Sequence, residues 1–97
     1  MIIQFSPQRR SDSLSIQKIG DVLTINGEAF DFSALPDGAT IPAGEIPCPF
    51  IEGAVDRVGG QLRIILVLPC AADAPQTRRF PAPIIDPADG PITLPGD

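Results

Sequence analysis

Few side chains in this sequence have catalytic potential. The chain contains no His, so the Ser–His and Cys–His pairings of nucleophilic catalysis are excluded. Paired carboxylates can hydrolyse glycosides, and the nearest pairs along the chain are Asp86 with Asp89 and Glu28 with Asp31. Both pairs fall among turn and solvent-face residues, where carboxylates commonly bond nearby backbone groups. We therefore expect a protein that is not an enzyme.

Metal and cofactor sites are equally poorly supported by the sequence. Asp86 and Asp89 are oxygen donors suited to calcium, but the spacing of an EF-hand loop is absent. Cys48 and Cys70 form no Cys-x-x-Cys motif, and two thiols without His fall short of four zinc ligands. The Gly59-Gly60 pair lacks the rest of a phosphate-binding loop. The sequence predicts no metal and no cofactor.

The charge balance disfavours two classes of partner. Seven basic residues against twelve acidic ones give a net charge of −5, which is unsuited to nucleic acid or to an anionic membrane. No apolar run approaches the ~20 residues of a membrane helix, and residues 1–7 lack the regions of a signal peptide. We expect a cytoplasmic protein. The two Arg pairs, Arg9-Arg10 and Arg78-Arg79, are interpreted as solvated turn residues, with an acidic protein partner as the alternative.

The first long stretch without proline, residues 8–35, predicts a three-stranded meander. Asn26-Gly27 is a strong signal for a two-residue hairpin turn, and Gly20-Asp21 supplies an earlier turn. These turns place Leu23 opposite Phe30 and collect the apolar side chains on one face, as expected of a correct register. The residues of that predicted face are Leu14, Ile16, Leu23, Ile25, Phe30 and Phe32.

The second stretch, residues 50–68, predicts a long hairpin around Gly59-Gly60. Its turn places Asp56 opposite Arg63, and Gly53 marks a bulge or a close backbone approach. Residues 64–68 are apolar on both faces, which is typical of a central or covered strand. Cys48 and Cys70 lie beyond the open end of this hairpin, so a disulfide is the alternative to two reduced thiols.

These elements predict an all-β fold in which the meander and the hairpin form a small sandwich or a partial barrel. Residues 1–70 are the predicted all-β domain, with residues 2–5 as a short edge strand. Seven of the twelve prolines fall between Pro69 and Pro95, so residues 71–97 are predicted to be an extended proline-rich tail. That tail packs on the domain or on a partner, and residues 71–74 form at most one helical turn.

The most suggestive segment for binding is residues 80–85, which we call the arm. It either packs over the chain's own sheet, covering Ile65 and Val67, or adds to the edge of a partner or of a second copy. The residues predicted to bind a protein partner are Phe80, Ile84, Ile85, Arg78 and Arg79.

Four segments resemble small proteins encoded near the tail genes of tailed phages and prophages. They are FSPQRRSD (residues 5–12), GDVLTINGEAFDFS (20–33), LPDGAT (35–40) and DGPITLP (89–95). The resemblance implies a virion or tail-morphogenesis context without specifying a role, which could be that of a minor tail component, an assembly factor or an accessory protein. Together with the lack of catalytic residues, it predicts a non-enzymatic tail-associated structural or assembly protein, with tail proteins or further copies of itself as partners. It also implies a location in the bacterial cytoplasm during assembly, or in the virion. The alternative function is a small monomeric binding module that regulates or inhibits a host or phage protein.

Overall fold

A computed structural model describes residues 1–96, which form nine β-strands in two sheets and one short helix. The five-stranded sheet has the order β5-β6-β7-β1-β8, and the four-stranded sheet has the order β4-β3-β2-β9. The predicted all-β fold is confirmed. The strands are β1 (Ile2–Arg9), β2 (Ile16–Ile19), β3 (Val22–Ile25), β4 (Glu28–Asp31), β5 (Thr40–Ile41), β6 (Ile51–Val58), β7 (Gln61–Cys70), β8 (Ile84–Ile85) and β9 (Gly90–Ile92), and the helix is α1 (Gln76–Arg79).

The meander β2-β3-β4 forms in the predicted register. Asn26 and Gly27 both have positive φ, 50° and 85°, as a type I′ turn requires. They place Leu23 opposite Phe30, and the earlier turn places Ile16 opposite Ile25. The Asn26 side chain also accepts a hydrogen bond from the Ser15 N–H at 2.7 Å. The turn therefore fixes the segment that leads into β2 as well as the hairpin itself.

The β6-β7 hairpin confirms the Gly59-Gly60 turn and the predicted bulge. Asp56 pairs with Arg63, but the register shifts between Glu52 and Asp56, so that Glu52 pairs with Ile65. Gly53 lies within this shift with a φ of +71°, a conformation that side-chain-bearing residues rarely adopt. A Cβ at Gly53 would meet nothing within 4 Å, so the glycine serves the bulge and not a close approach.

The prediction of a short edge strand at residues 2–5 is wrong. β1 extends over eight residues and lies inside the sheet, parallel to β7, with Ile2 opposite Arg63 and Arg9 opposite Cys70. The physical reason is β7, whose apolar run needs a strand on each side to bury it. β6 supplies one of these neighbours and β1 supplies the other.

The tail pairs with both sheets. β8 is antiparallel to β1, β9 is antiparallel to β2, and Leu94 is 5% exposed in the core. Residues 71–74 form a turn, and the helix follows Pro75 instead of preceding it. The domain boundary at residue 70 stays a prediction, and Asp97 lies outside the described residues.

Both sheets contribute to one hydrophobic core, which favours the sandwich over a barrel. The most deeply buried side chains, each less than 2% exposed, are Ile3, Leu23, Val55, Leu62, Ile64, Leu66 and Leu68. Cys48 is half-buried and Cys70 is buried, and both are free thiols, so the disulfide alternative is not realised.

Arg57 joins the two sheets by hydrogen bonds. From β6 its Nε donates to the Leu35 carbonyl at 2.7 Å, and its Nη2 donates to the Phe32 carbonyl at 3.0 Å. The same Nη2 lies 3.1 Å from the Asp21 carboxylate in the β2-β3 turn. One largely buried guanidinium thus connects the five-stranded sheet to a turn and to the exit of the four-stranded sheet.

Candidate protein-contact site

The face of the five-stranded sheet that points away from the core, the outer face, combines apolar and charged side chains. One row of residues crosses all five strands in register: Thr40, Asp56, Arg63, Ile2 and Ile85. Arg63 binds Asp56 through two hydrogen bonds of 2.7 Å each. Ile85 is 64% exposed, and Val58 at the end of β6 is 50% exposed. The outer face therefore places exposed apolar groups beside a fixed ion pair.

Two depressions on the outer face meet at Gln4 and Ile65, and we call them together the outer groove. The first has a volume of about 420 Å³ and is lined by Ile2, Gln4, Ala54, Asp56, Arg63, Ile64 and Ile65. The second has a volume of about 490 Å³ and is lined by Gln4, Phe5, Ser6, Pro7, Glu52, Ile65, Pro81 and Pro83. Pro81 and Pro83 belong to the arm, so the arm forms one wall of the groove.

The floor and the rim of the outer groove differ in chemistry. Ile2 and Ile65 are half-buried and supply an apolar floor. Asp56 and Arg63 lie at one end and Glu52 at the other. The hydrogen bonds from Arg63 lower the pKa of Asp56, and the same pairing raises the pKa of Arg63. Both groups therefore stay charged at neutral pH.

The five predicted partner-binding residues do not form one surface. Ile85 lies on the outer face beside Ile2, and Phe80 is 75% exposed in a different depression next to Ile84. Ile84 is half-buried where it pairs with Ile3. Arg79 is exposed. Arg78 is held within the chain, because its Nε donates to the Pro69 carbonyl at 3.0 Å.

Three of the four carboxylates considered for catalysis, those of Asp31, Asp86 and Asp89, accept hydrogen bonds from other groups. Asp89 accepts hydrogen bonds from Lys18 at 2.8 Å and from the Gly20 N–H at 3.0 Å, and these lower its pKa. The pKa of Asp86 is lowered first by Gln61 and then by the N-terminal ammonium. The pKa of Asp31 is lowered by its bonds with Ser33. Within residues 1–96 no group of three or more His, Cys, Asp or Glu residues is placed to hold a metal ion.

The sequence patterns did not identify Gln4 and Glu52 as residues that line the outer groove. The available signal was Ile65, an apolar residue on the outer side of β7, which requires some covering or contact. The polar residues became candidates only once β1 was placed next to β7.

Comparison with known proteins returns no relative of this chain. No protein-family model matches it. No curated protein and no solved structure matches it. None of the helical structure within residues 1–96 has the length and apolar character needed to cross a membrane.

Proposed function

We propose that this protein is a non-enzymatic structural or assembly component of a phage or prophage tail, acting through protein–protein contacts. The phage context of the proposal rests on the four sequence segments that resemble tail-region proteins. The mode of action rests on the outer groove. Its partners would be tail proteins or further copies of the chain, and its location the bacterial cytoplasm during assembly or the virion.

The single observation that carries the contact function is the apolar floor of the outer groove within a charged rim. Protein interfaces combine a core depleted of charge with a polar, solvent-accessible rim. Ile2 and Ile65 supply such a core, and Glu52 and the Asp56–Arg63 pair supply the rim. A partner side chain seated on Ile65 would displace water from apolar surface while the rim charges remain hydrated.

The experiment is complementation of a phage or prophage that lacks the gene. Wild-type protein, Ile65→Glu and the control Ile19→Glu are supplied, and particle yield and particle composition by mass spectrometry are measured. Ile19 is a suitable control because it is 69% exposed and lies on the four-stranded sheet. We expect the wild type and Ile19→Glu to restore particles and Ile65→Glu to fail.

Thermal unfolding of the three purified proteins separates loss of contact from loss of fold. If Ile65→Glu melts close to the wild type yet fails to complement, the outer groove is required. If deletion of the gene leaves particle yield and composition unchanged, the proposed function is wrong.

A further inference from the structure

The outer groove carries one carboxylate that no cation neutralises. Glu52 lies opposite Ile65, and Ile65 lies opposite Gln4, so these side chains form one row across β6, β7 and β1. Glu52 is half-buried. Within residues 1–96, the one cation that lines the groove is Arg63, and both of its hydrogen bonds of 2.7 Å go to Asp56. A half-buried negative charge therefore borders apolar surface with no cation of the chain beside it.

The Glu52 carboxylate keeps one oxygen free. Its Oε1 accepts from the Gln8 Nε2 at 3.3 Å, and this is the one hydrogen bond that the carboxylate makes within residues 1–96. Because β7 lies between β6 and β1, the bond brings the two side chains together over β7. The second oxygen of Glu52 is available to a donor from outside the chain.

Apolar side chains surround Glu52 in this part of the groove. Ile65 forms the floor, and Phe5, Pro81 and Pro83 complete the apolar lining. Pro81 and Pro83 belong to the arm, which flanks β1 here and leaves a depression of about 490 Å³. An aliphatic stem that ends in a positive charge matches this lining, because the stem removes apolar surface from water while the charge stays at the polar end.

We propose that the outer groove binds a lysine side chain of another protein, whose aliphatic stem lies on Ile65 and whose ammonium donates to Glu52. This rests on the proposed contact function and names the chemistry of the partner. Lysine suits the site better than arginine, because a guanidinium binds both oxygens of a carboxylate and Gln8 already occupies one of them. The net charge of −5 also favours a cationic partner.

A second copy of this chain has no lysine to supply. Lys18 is the one lysine in the sequence, its side chain is 14% exposed, and its Nζ lies 2.8 Å from Asp89. Contact with another copy would break this ion pair and draw a largely buried side chain out of the fold. Arg9 and Arg79 form no ion pair within residues 1–96, so they are the cations that a second copy has free.

The test is a titration of the full chain with synthetic peptides, followed through its amide NMR spectrum. The lysine probe is acetyl-Ser-Val-Lys-Val-Ser-amide. In three matched probes norleucine replaces the lysine to keep the stem without the charge, diaminopropionate keeps the charge on a short stem, and arginine offers a planar cation. We expect the lysine probe to bind most tightly, to shift the Glu52 and Ile65 amides, and to weaken as salt rises.

A charge variant locates the ammonium of the probe. Glu52→Gln removes the charge and keeps the shape of the side chain, so it should weaken the lysine probe about two- to fivefold, as for solvent-accessible ion pairs. It should leave the norleucine probe unchanged. Glu28→Gln is the matched control, because it makes the same change of net charge on β4 of the other sheet and should not alter binding of the lysine probe.

Five results would overturn the proposal. The lysine and norleucine probes bind equally, the arginine probe binds more tightly than the lysine probe, Glu28→Gln weakens binding as much as Glu52→Gln, or no probe shifts the amides of the groove. The fifth is a free protein that is a dimer and dissociates in Arg9→Gln or Arg79→Gln, which would assign the groove to a second copy. Because the titration uses the purified chain and needs no phage, its failure is separable from the complementation result that tests the proposed function.

Discussion

Replacement of Arg57 by Met should destabilise the protein strongly, and by more than replacement of Arg63 by Met. The Arg57 side chain is 12% exposed and donates to the carbonyls of Leu35 and Phe32 while pairing with Asp21. Hydrogen bonds from a charged donor contribute about 1.5–3 kcal/mol each, but bonds from one side chain are not additive. Removing one partner of a buried charged network typically costs about 3–5 kcal/mol. We expect a loss in that range.

That loss is large against the total stability of a small domain, about 5–15 kcal/mol. It corresponds to a fall of roughly 20 °C in Tm for a chain of this size. Urea unfolding should be followed by far-UV circular dichroism, because the chain has no Trp or Tyr to report by fluorescence. Arg57→Lys should be intermediate, since a single ammonium cannot reach every acceptor of the planar guanidinium.

Arg63→Met provides the control for Arg57→Met. Arg63 lies on the same sheet and binds Asp56, but its side chain is 51% exposed. Exposed ion pairs contribute about 0–1 kcal/mol, so this variant should unfold close to the wild type. The reasoning is refuted if Arg57→Met loses less than about 1 kcal/mol, or if Arg63→Met loses as much as Arg57→Met.

Three further predictions concern the tail, the bulge and acid stability. Leu94→Ala should lose about 2–4 kcal/mol in urea unfolding because Leu94 is buried in the core; an unchanged midpoint would mean that the tail does not support the fold. Gly53→Ala should lower the free energy of unfolding by about 1–2 kcal/mol in the same assay, since the φ of +71° at Gly53 disfavours a side chain. An unchanged free energy of unfolding would show that this backbone conformation does not disfavour alanine. Folding lowers the pKa values of Asp86 and Asp89, so both carboxylates stabilise the fold at pH values above their ordinary pKa near 4. This contribution is lost as the pH falls through the lower pKa values of the folded state. Urea midpoints measured from about pH 5 to pH 2 should therefore fall, and less steeply for Asp86→Asn; equal slopes would exclude Asp86 as a contributor.

The hairpins were predictable because their information is local. Asn26-Gly27, Gly20-Asp21 and Gly59-Gly60 each specify a turn by backbone conformation, and the alternating apolar residues then fix the register. The β1 strand was not predictable in this way. Nothing in its own sequence specifies a parallel partner, and Pro7 suggests a strand end until its nitrogen is known to face away from β7.

The candidate site likewise depends on contacts between distant segments, which the sequence does not specify locally. The sequence left the arm either packed over the chain's own sheet or available to a partner, so it did not predict that Phe80 and Ile85 are exposed, as they are in the structure. The engagement of Arg78 depends on carbonyls at Pro69 and Pro95, which only the folded chain brings near it. The structural role of Arg57 could have been suspected from the sequence, because Arg57 occupies a core-facing position of β6 where the alternation predicts an apolar residue.

The pairing of β1 with β7 sets the order in which the protein can fold during synthesis. Ile2 pairs with Arg63, 61 residues further along, so β1 has no strand to join until β7 has been made. At about 5–20 residues per second, that wait lasts roughly 3–12 s. The meander can form in the meantime from neighbouring segments, because short loops close quickly. β1 thus remains without this partner until β7 has been translated, and a chaperone that binds extended nascent chains would find its target at residues 2–9.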